Sequence, residues 1–165
     1  MSISRAPTHD DRADKSRRID PMVAVAESCT GGMLMTRIVA TPGSGDWFKG
    51  GIVAYDSEIK FRLLEVPLGP VISREAAIAM AEGARKLFDA EIGVAITGVA
   101  GPEPEEGNPV GTVYLGIASA RVVEAHLLDL SGDPDAVRRA ATVRSYQRMT
   151  QERDAVAADA SPRQR

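Results

Sequence analysis

The sequence holds little of what familiar catalytic sites are built from. Its 165 residues include one cysteine, Cys29, which excludes an intrachain disulfide and suits a reducing cytoplasm. There are two histidines: His9 lies in a polar stretch and His126 in a β-rich run. Neither has a second His or Cys nearby, so the ligand spacings of a metal site are absent and no metal is expected. Aromatic residues are sparse at 4%, the formal net charge is −3, and no stripe of Lys and Arg alternates with aromatics. Nucleic acid is therefore not an expected partner. No apolar run approaches a membrane span, and the charged first residues lack the apolar segment of a secretory signal, so no membrane partner is expected either. The phosphate loop Gly-x-x-x-x-Gly-Lys-Ser/Thr, the dinucleotide loop Gly-x-Gly-x-x-Gly and the nucleophile elbow Gly-x-Ser-x-Gly are all missing.

What is present describes an ordinary globular domain, 44% apolar and 26% charged, long enough to bury a core. Residues 1–20 are polar and nearly free of large apolar side chains, and read as a flexible tail. A single domain is expected over 21–150, with a frayed tail over 151–165. Apolar runs predict strands at 22–26, 50–55, 92–97, 113–118 and 122–130, the last two close enough to pair as a hairpin. Helical spacing follows at Met33, Leu34, Ile38 and Val39. It returns over 56–64, with Ile59, Leu63 and Leu64 inward, and from a Ser73 cap to Phe88. Asp133 before Pro134 marks a further helix start, with Val137, Ala140 and Ala141 inward. Trp47 and Phe48 read as packing residues, and His126 as a sheet-surface histidine. Strands alternating with helices, then a hairpin and a helix, give an α/β layered domain. Its sheet is mixed, parallel at the centre with an antiparallel edge.

The stretch around which the chain is organised is AESCTGG, residues 26–32. A strand ends there and a helix begins, so the side chains of the turn project off the sheet and the first helix amides lack partners. Such amides, at the positive end of a helix, favour an anion or a developing oxyanion. A hydroxyl at this place is a nucleophile, a phosphate ligand or an N-cap. A second polar glycine loop, TGVAG at 97–101, also follows a strand, and Tyr55 ends a third. Ligands of such sheets bind at the carboxyl ends of strands, where these three segments converge.

Several segments, in order, resemble the C-terminal domain of the competence/damage-inducible protein CinA, a family that includes stand-alone nicotinamide-nucleotide amidohydrolases. They are AESCTGG, PGSGDWFKGGIVAY at 42–55, Lys60 to Val66 with Leu64 between, AMAEGA at 79–84, TGVAGP at 97–102, PVGTVY at 109–114 and SGD with a later Val-Arg at 131–138. The resemblance implies an αβα sandwich, a homo-oligomer, and conversion of nicotinamide mononucleotide to nicotinate mononucleotide and ammonia without a cofactor. It implies Ser28 as nucleophile, Lys60 as its base and Tyr55 as a relay or as the group that holds Lys60. A lysine base needs its ordinary pKa, about 10.4, lowered by desolvation or a nearby cation. Substrate contacts are implied for Glu27, Cys29, Thr30, Gly31, Gly32, Thr97, Gly98 and Gly101, and Arg138 would meet the phosphate. Cys29 is the rival nucleophile. A non-catalytic pyridine-nucleotide-binding or regulatory protein on the same scaffold is the alternative.

The chain departs from the family pattern in the periphery. No leucine-rich helix precedes the first strand, Asp56–Ser57 stands for Ser/Thr–Asn, and Arg74 and Pro134 replace an acid and an arginine. The glycine loop GPGGG reads GPEPEEGN, which brings Glu103, Glu105 and Glu106 towards the implied phosphate pocket. These changes imply activity that is reduced or directed to another nucleotide amide.

Overall fold

The computed structural model describes residues 20–160. The expected tail over 1–20 lies outside the described residues except for Asp20. The chain runs β1 (Val23–Glu27), α1 (Met33–Val39), a 3₁₀ turn (Ser44–Asp46), β2 (Phe48–Val53), α2 (Ser57–Leu63), α3 (Arg74–Leu87), β3 (Ile92–Gly98), β4 (Thr112–Ala118), β5 (Val123–Asp129) and α4 (Pro134–Ala160). The five strands form one sheet in the order β2-β1-β3-β4-β5. β1 pairs parallel with β2 and β3, whereas β3–β4 and β4–β5 are antiparallel. This is the mixed sheet with a parallel centre and an antiparallel edge hairpin that the sequence pattern predicts.

The period-2 alternation of the strands sorts side chains by size onto two faces. Val23, Val25, Ile92, Val94, Ile96, Leu115 and Ile117 fill one face and pack with Leu34 and Ile38 of α1 and Val137, Ala141 and Met149 of α4. Ala24, Ala26, Ala95 and Ala118 occupy the other, beneath Ala76, Met80, Ala81 and Ala84 of α3. That second face is nearly smooth, and α3 lies directly on it. A Cβ at Gly93 would sit 1.9 Å from the Ala81 carbonyl oxygen, and one at Gly116 would sit 2.1 Å from that of Ala77. Helices on both faces give the three-layer sandwich, and all three polar turns that follow β1, β2 and β3 fall at one edge.

Several details differ from the sequence expectation. On α2 the inward stripe carries Lys60 with Leu64 just beyond the helix, while Leu63, expected inside, is exposed. Val39 is exposed as well, since Leu34 and Ile38 already supply the buried side of a two-turn helix. The C-terminal helix does not fray at Gln151 but continues to Ala160. A stripe at 137, 141, 145 and 149 is buried at i+4 spacing and is extended by Glu152, itself buried. Its carboxylate accepts from the Ser119 hydroxyl at 2.7 Å and from Arg148 at 3.1 Å. Arg153 stacks its guanidinium 3.8 Å from the centre of the Trp47 ring. Charged residues thus make the contacts of this turn, so no apolar periodicity announced it. Trp47 is buried in the α4-side core and walls no pocket. His126 lies on the sheet surface, 2.9 Å from Glu124. Among the described residues no helix is long and apolar enough to cross a membrane.

Candidate active site

A cavity of about 510 Å³ opens at the carboxyl edge of the sheet. The β1–α1 turn forms one wall with Ser28, Cys29, Thr30 and Gly31, and the end of β3 forms another with Thr97, Gly98 and Gly101. Tyr55, Ser57 and Lys60 enter from the β2–α2 side, and Asp135 and Arg138 from the start of α4. Val71 and Ile72 close the remaining side with Glu103 and Glu105. Of the residues implicated by sequence, all but Glu27 and Gly32 line this space.

Glu27 does not line the cavity. It is fully buried, and its carboxylate accepts from the Thr30 hydroxyl at 2.6 Å. The same carboxylate accepts from the amides of Gly32 at 3.1 Å, Leu34 at 3.1 Å and Met35 at 2.8 Å. The anion favoured by the positive end of α1 is therefore the chain's own side chain. The Glu27 carboxylate and the Gly32 amide are thus engaged with one another, and neither residue lines the cavity. Gly31 and Gly32 instead provide positive φ, 60° and 100°, that lets the chain turn from strand into helix. The amides of Cys29 and Thr30 carry no backbone hydrogen bond among the described residues, while Gly31 donates to the Ser28 carbonyl. The Cys29 amide lies against its own thiol, which leaves the Thr30 amide as the donor of this turn without a backbone partner.

Ser28 is the first residue after β1 and is 8% exposed. Its backbone is fixed by donation to the Ile96 carbonyl at 2.9 Å, which ties the turn to β3. Cys29 beside it is a poor thiolate. Burial, reinforced by the Glu27 charge, pushes its thiol up to about 12, which leaves it protonated and unreactive at neutral pH.

Lys60 is 2% exposed, and a buried lysine is rare unless something uses it. Its placement begins with Asp56, which caps α2 by accepting from the Glu58 amide at 2.7 Å and so fixes the helix's first turn. One turn in, the inward position belongs to Lys60, whose stem is buried while the amine reaches the cavity. The ammonium donates to the Tyr55 carbonyl at 3.1 Å. Desolvation lowers its pKa from the ordinary value, and the charges of Glu105, Asp56 and Glu106 oppose that shift. The Tyr55 side chain is 75% exposed at the cavity mouth. Of the two roles open to Tyr55, holding Lys60 is met by its backbone carbonyl rather than its phenol.

Two other groups position walls. The buried Thr97 hydroxyl donates to the Val71 carbonyl at 2.7 Å, so it braces the 71–72 segment. Glu106 accepts from the amides of Val71 at 3.2 Å and Ile72 at 2.9 Å, pinning the acidic loop to the same segment. Glu103 and Glu105 line the cavity and, among the described residues, make no ion pair. Arg138 donates to Asp135 at 2.8 Å, and Asp135 also accepts from Arg139 at 2.5 Å. Both arginines hold the Asp135 carboxyl below its usual range. The part played by Asp135 and by residues 71–72 escaped the sequence reading, because the contacts of 71–72 join segments more than 25 residues apart and leave no local signal. No group of three or more His, Cys, Asp and Glu side chains is placed to hold a metal ion among the described residues.

Comparison with known proteins agrees with this architecture. The family model of the CinA C-terminal domain matches residues 7–152. A CinA-like protein of Dictyoglomus thermophilum is 42% identical over 129 residues, covering 73% of this chain and 31% of that protein. A CinA-like protein of Frankia casuarinae is also 42% identical, over 126 residues, covering 73% and 29%. The chain thus spans less than a third of the length of these curated relatives. Among solved structures, a CinA superfamily protein from Klebsiella pneumoniae superposes with a TM-score of 0.76 at 29% identity, covering 81% of this chain and 87% of that one. Another from Escherichia coli superposes at 0.77 with 27% identity, covering 88% and 94%. With its sheet order, its Ser-bearing turn and this match over most of its length, the chain belongs to the CinA C-terminal domain family.

Proposed function

We propose that the chain is an amidohydrolase that converts the carboxamide of a nicotinamide-nucleotide-type substrate to the carboxylate, releasing ammonia. The observation that carries the reading is a 2%-exposed lysine sharing one cavity with the hydroxyl of Ser28, with no carboxylate bonded to its amine. Burial favours the neutral amine, and a neutral amine can take a serine proton.

The steps follow from these groups. Ser28 Oγ attacks the amide carbon while its proton passes to Lys60 Nζ. The carbonyl oxygen becomes an oxyanion beside the amide of Thr30, where one donor is worth roughly 2.7–4 kcal/mol. The C–N bond then breaks, and the leaving nitrogen takes the proton from Lys60 and departs as ammonia. Water, deprotonated by the same amine, adds to the acyl-serine ester and releases the acid and the free hydroxyl. The Tyr55 carbonyl keeps the amine within the cavity between these transfers.

The test is ammonia release from nicotinamide mononucleotide by the intact chain and by Ser28→Ala. The variant is expected to lose about 10³-fold or more of the rate with its melting temperature unchanged. Equal turnover by the two proteins ends the serine mechanism.

A second reading, a binding protein without turnover, draws on the Lys60 amine being bonded to Tyr55 rather than to Ser28. It expects calorimetric binding of the nucleotide with ammonia at background.

A further inference from the structure

The loop after β3 holds a glutamate where its own turn does not favour one. Glu105 and Asn108 pair across a tight hairpin, each amide donating to the other's carbonyl, at 3.1 and 2.8 Å. The two residues between them, Glu106 and Gly107, both have positive φ, 49° and 75°. Turns with two positive φ values favour Asn, Asp or Gly at their centre, and a glutamate there is strained. Such strain persists where contacts from elsewhere over-determine it.

The contacts come from 34 and 35 residues earlier in the chain. One Glu106 carboxylate oxygen accepts from the Val71 amide at 3.2 Å and the other from the Ile72 amide at 2.9 Å. Val71 and Ile72 are buried, belong to no helix or strand and line the cavity, whereas Glu106 does not. Neither amide has another partner among the described residues. A buried amide without an acceptor is costly, so this wall depends on Glu106 for its place. The Val71 carbonyl is held in turn by the Thr97 hydroxyl at 2.7 Å. We propose that Glu106 is a positioning residue, which through residues 71–72 shapes the cavity that Ser28 and Lys60 share; its catalytic meaning rests on the amidase reading.

Glu106→Asn separates this role from one confined to the turn. Asparagine suits positive φ better, but its side chain is one methylene shorter and falls short of the two amides. A role in the turn alone leaves the site unchanged. The positioning role expects hydrogen exchange at the Val71 and Ile72 amides to quicken by about tenfold or more. It also expects KM for nicotinamide mononucleotide to rise by about tenfold, with kcat altered less. Unchanged exchange overturns the inference whatever the chain's activity, and so does faster exchange with an unchanged KM. Glu106→Gln removes the same charge but keeps an oxygen at the same reach, so its KM should fall between the two. A KM equal to that of Glu106→Asn assigns the effect to charge and removes the positioning role. Ammonia at background from the native chain ends the amidase reading instead. Calorimetric affinity for the mononucleotide then replaces KM: weaker binding by Glu106→Asn than by the native chain supports the inference, and equal binding overturns it.

Discussion

Glu27 and Lys60 are both buried charges at the inner end of one sheet edge, and they are treated in opposite ways. The Glu27 carboxylate receives four donors, one hydroxyl and three helix amides, from its own turn. Lys60 receives one carbonyl. A buried charge with every lone pair matched holds structure together, whereas one with a single partner retains capacity for something else. The β1–α1 turn is therefore a rigid frame built on Glu27. The α2 side brings an amine with a single partner to the cavity beside that frame.

The comparison breaks most sharply at Lys60. Replacing Lys60→Met should lower ammonia release by roughly 10²–10⁴-fold, the usual contribution of a positioned base. The melting temperature should hold or rise, because an apolar side chain takes the place of a desolvated amine. A large fall in melting temperature with activity retained would make Lys60 the structural group. Glu27→Ala should show the converse. Three helix amides and a hydroxyl lose their acceptor, at a cost of roughly 3 kcal/mol or about 10 °C in thermal midpoint for a chain of this size. Calorimetric melting checks this, and an unchanged midpoint would deny Glu27 its framing role.

The smallest effect concerns the pH profile. The base must be neutral, so kcat/KM should rise with pH through the Lys60 pKa, which burial sets below the ordinary value of about 10.4. Glu105 is the strongest of the charges that hold this pKa up. Glu105→Gln should therefore move the rising limb to lower pH, and a limb that stays in place removes Glu105 from the base's surroundings. The stability linkage has a definite sign. With its folded pKa depressed, the native state sheds its proton before the unfolded chain does. Stability thus gains as pH rises from the folded pKa to the unfolded one.

The parallel arrangement shows why some of this was legible and some was not. The AESCTGG turn is local, and a strand, two glycines and a helix within a dozen residues announce a junction at which side chains leave the sheet. The turn that carries Ser28 and the convergence of 97–101 upon it followed from the alternation of strands and helices, whereas the nucleophile role of Ser28 was implied only by the family resemblance. Which residue would satisfy the helix amides was hidden, since a glutamate at a strand end reads as readily as a ligand contact. On α2 the expected inward stripe ran through Ile59 and Leu63, one position before Lys60 and Leu64, so only the family resemblance pointed to Lys60. Only the packing of Leu64 and the sheet decides that Lys60 faces in. The continuation of α4 was likewise hidden, because Glu152 and Arg153 engage Ser119 and Trp47 from distant segments.

By itself the sequence determined the order of strands and helices, the small-residue face beneath α3 and the turn that carries Ser28, since each depends on periodicity or on neighbours along the chain. Tertiary structure alone decided which charges are matched and which are left with capacity. Burial and hydrogen-bond partners are set by segments far apart in the chain. Glu27 became a frame, Lys60 an internal amine, and Glu103 and Glu105 cavity-lining acids only when those segments met.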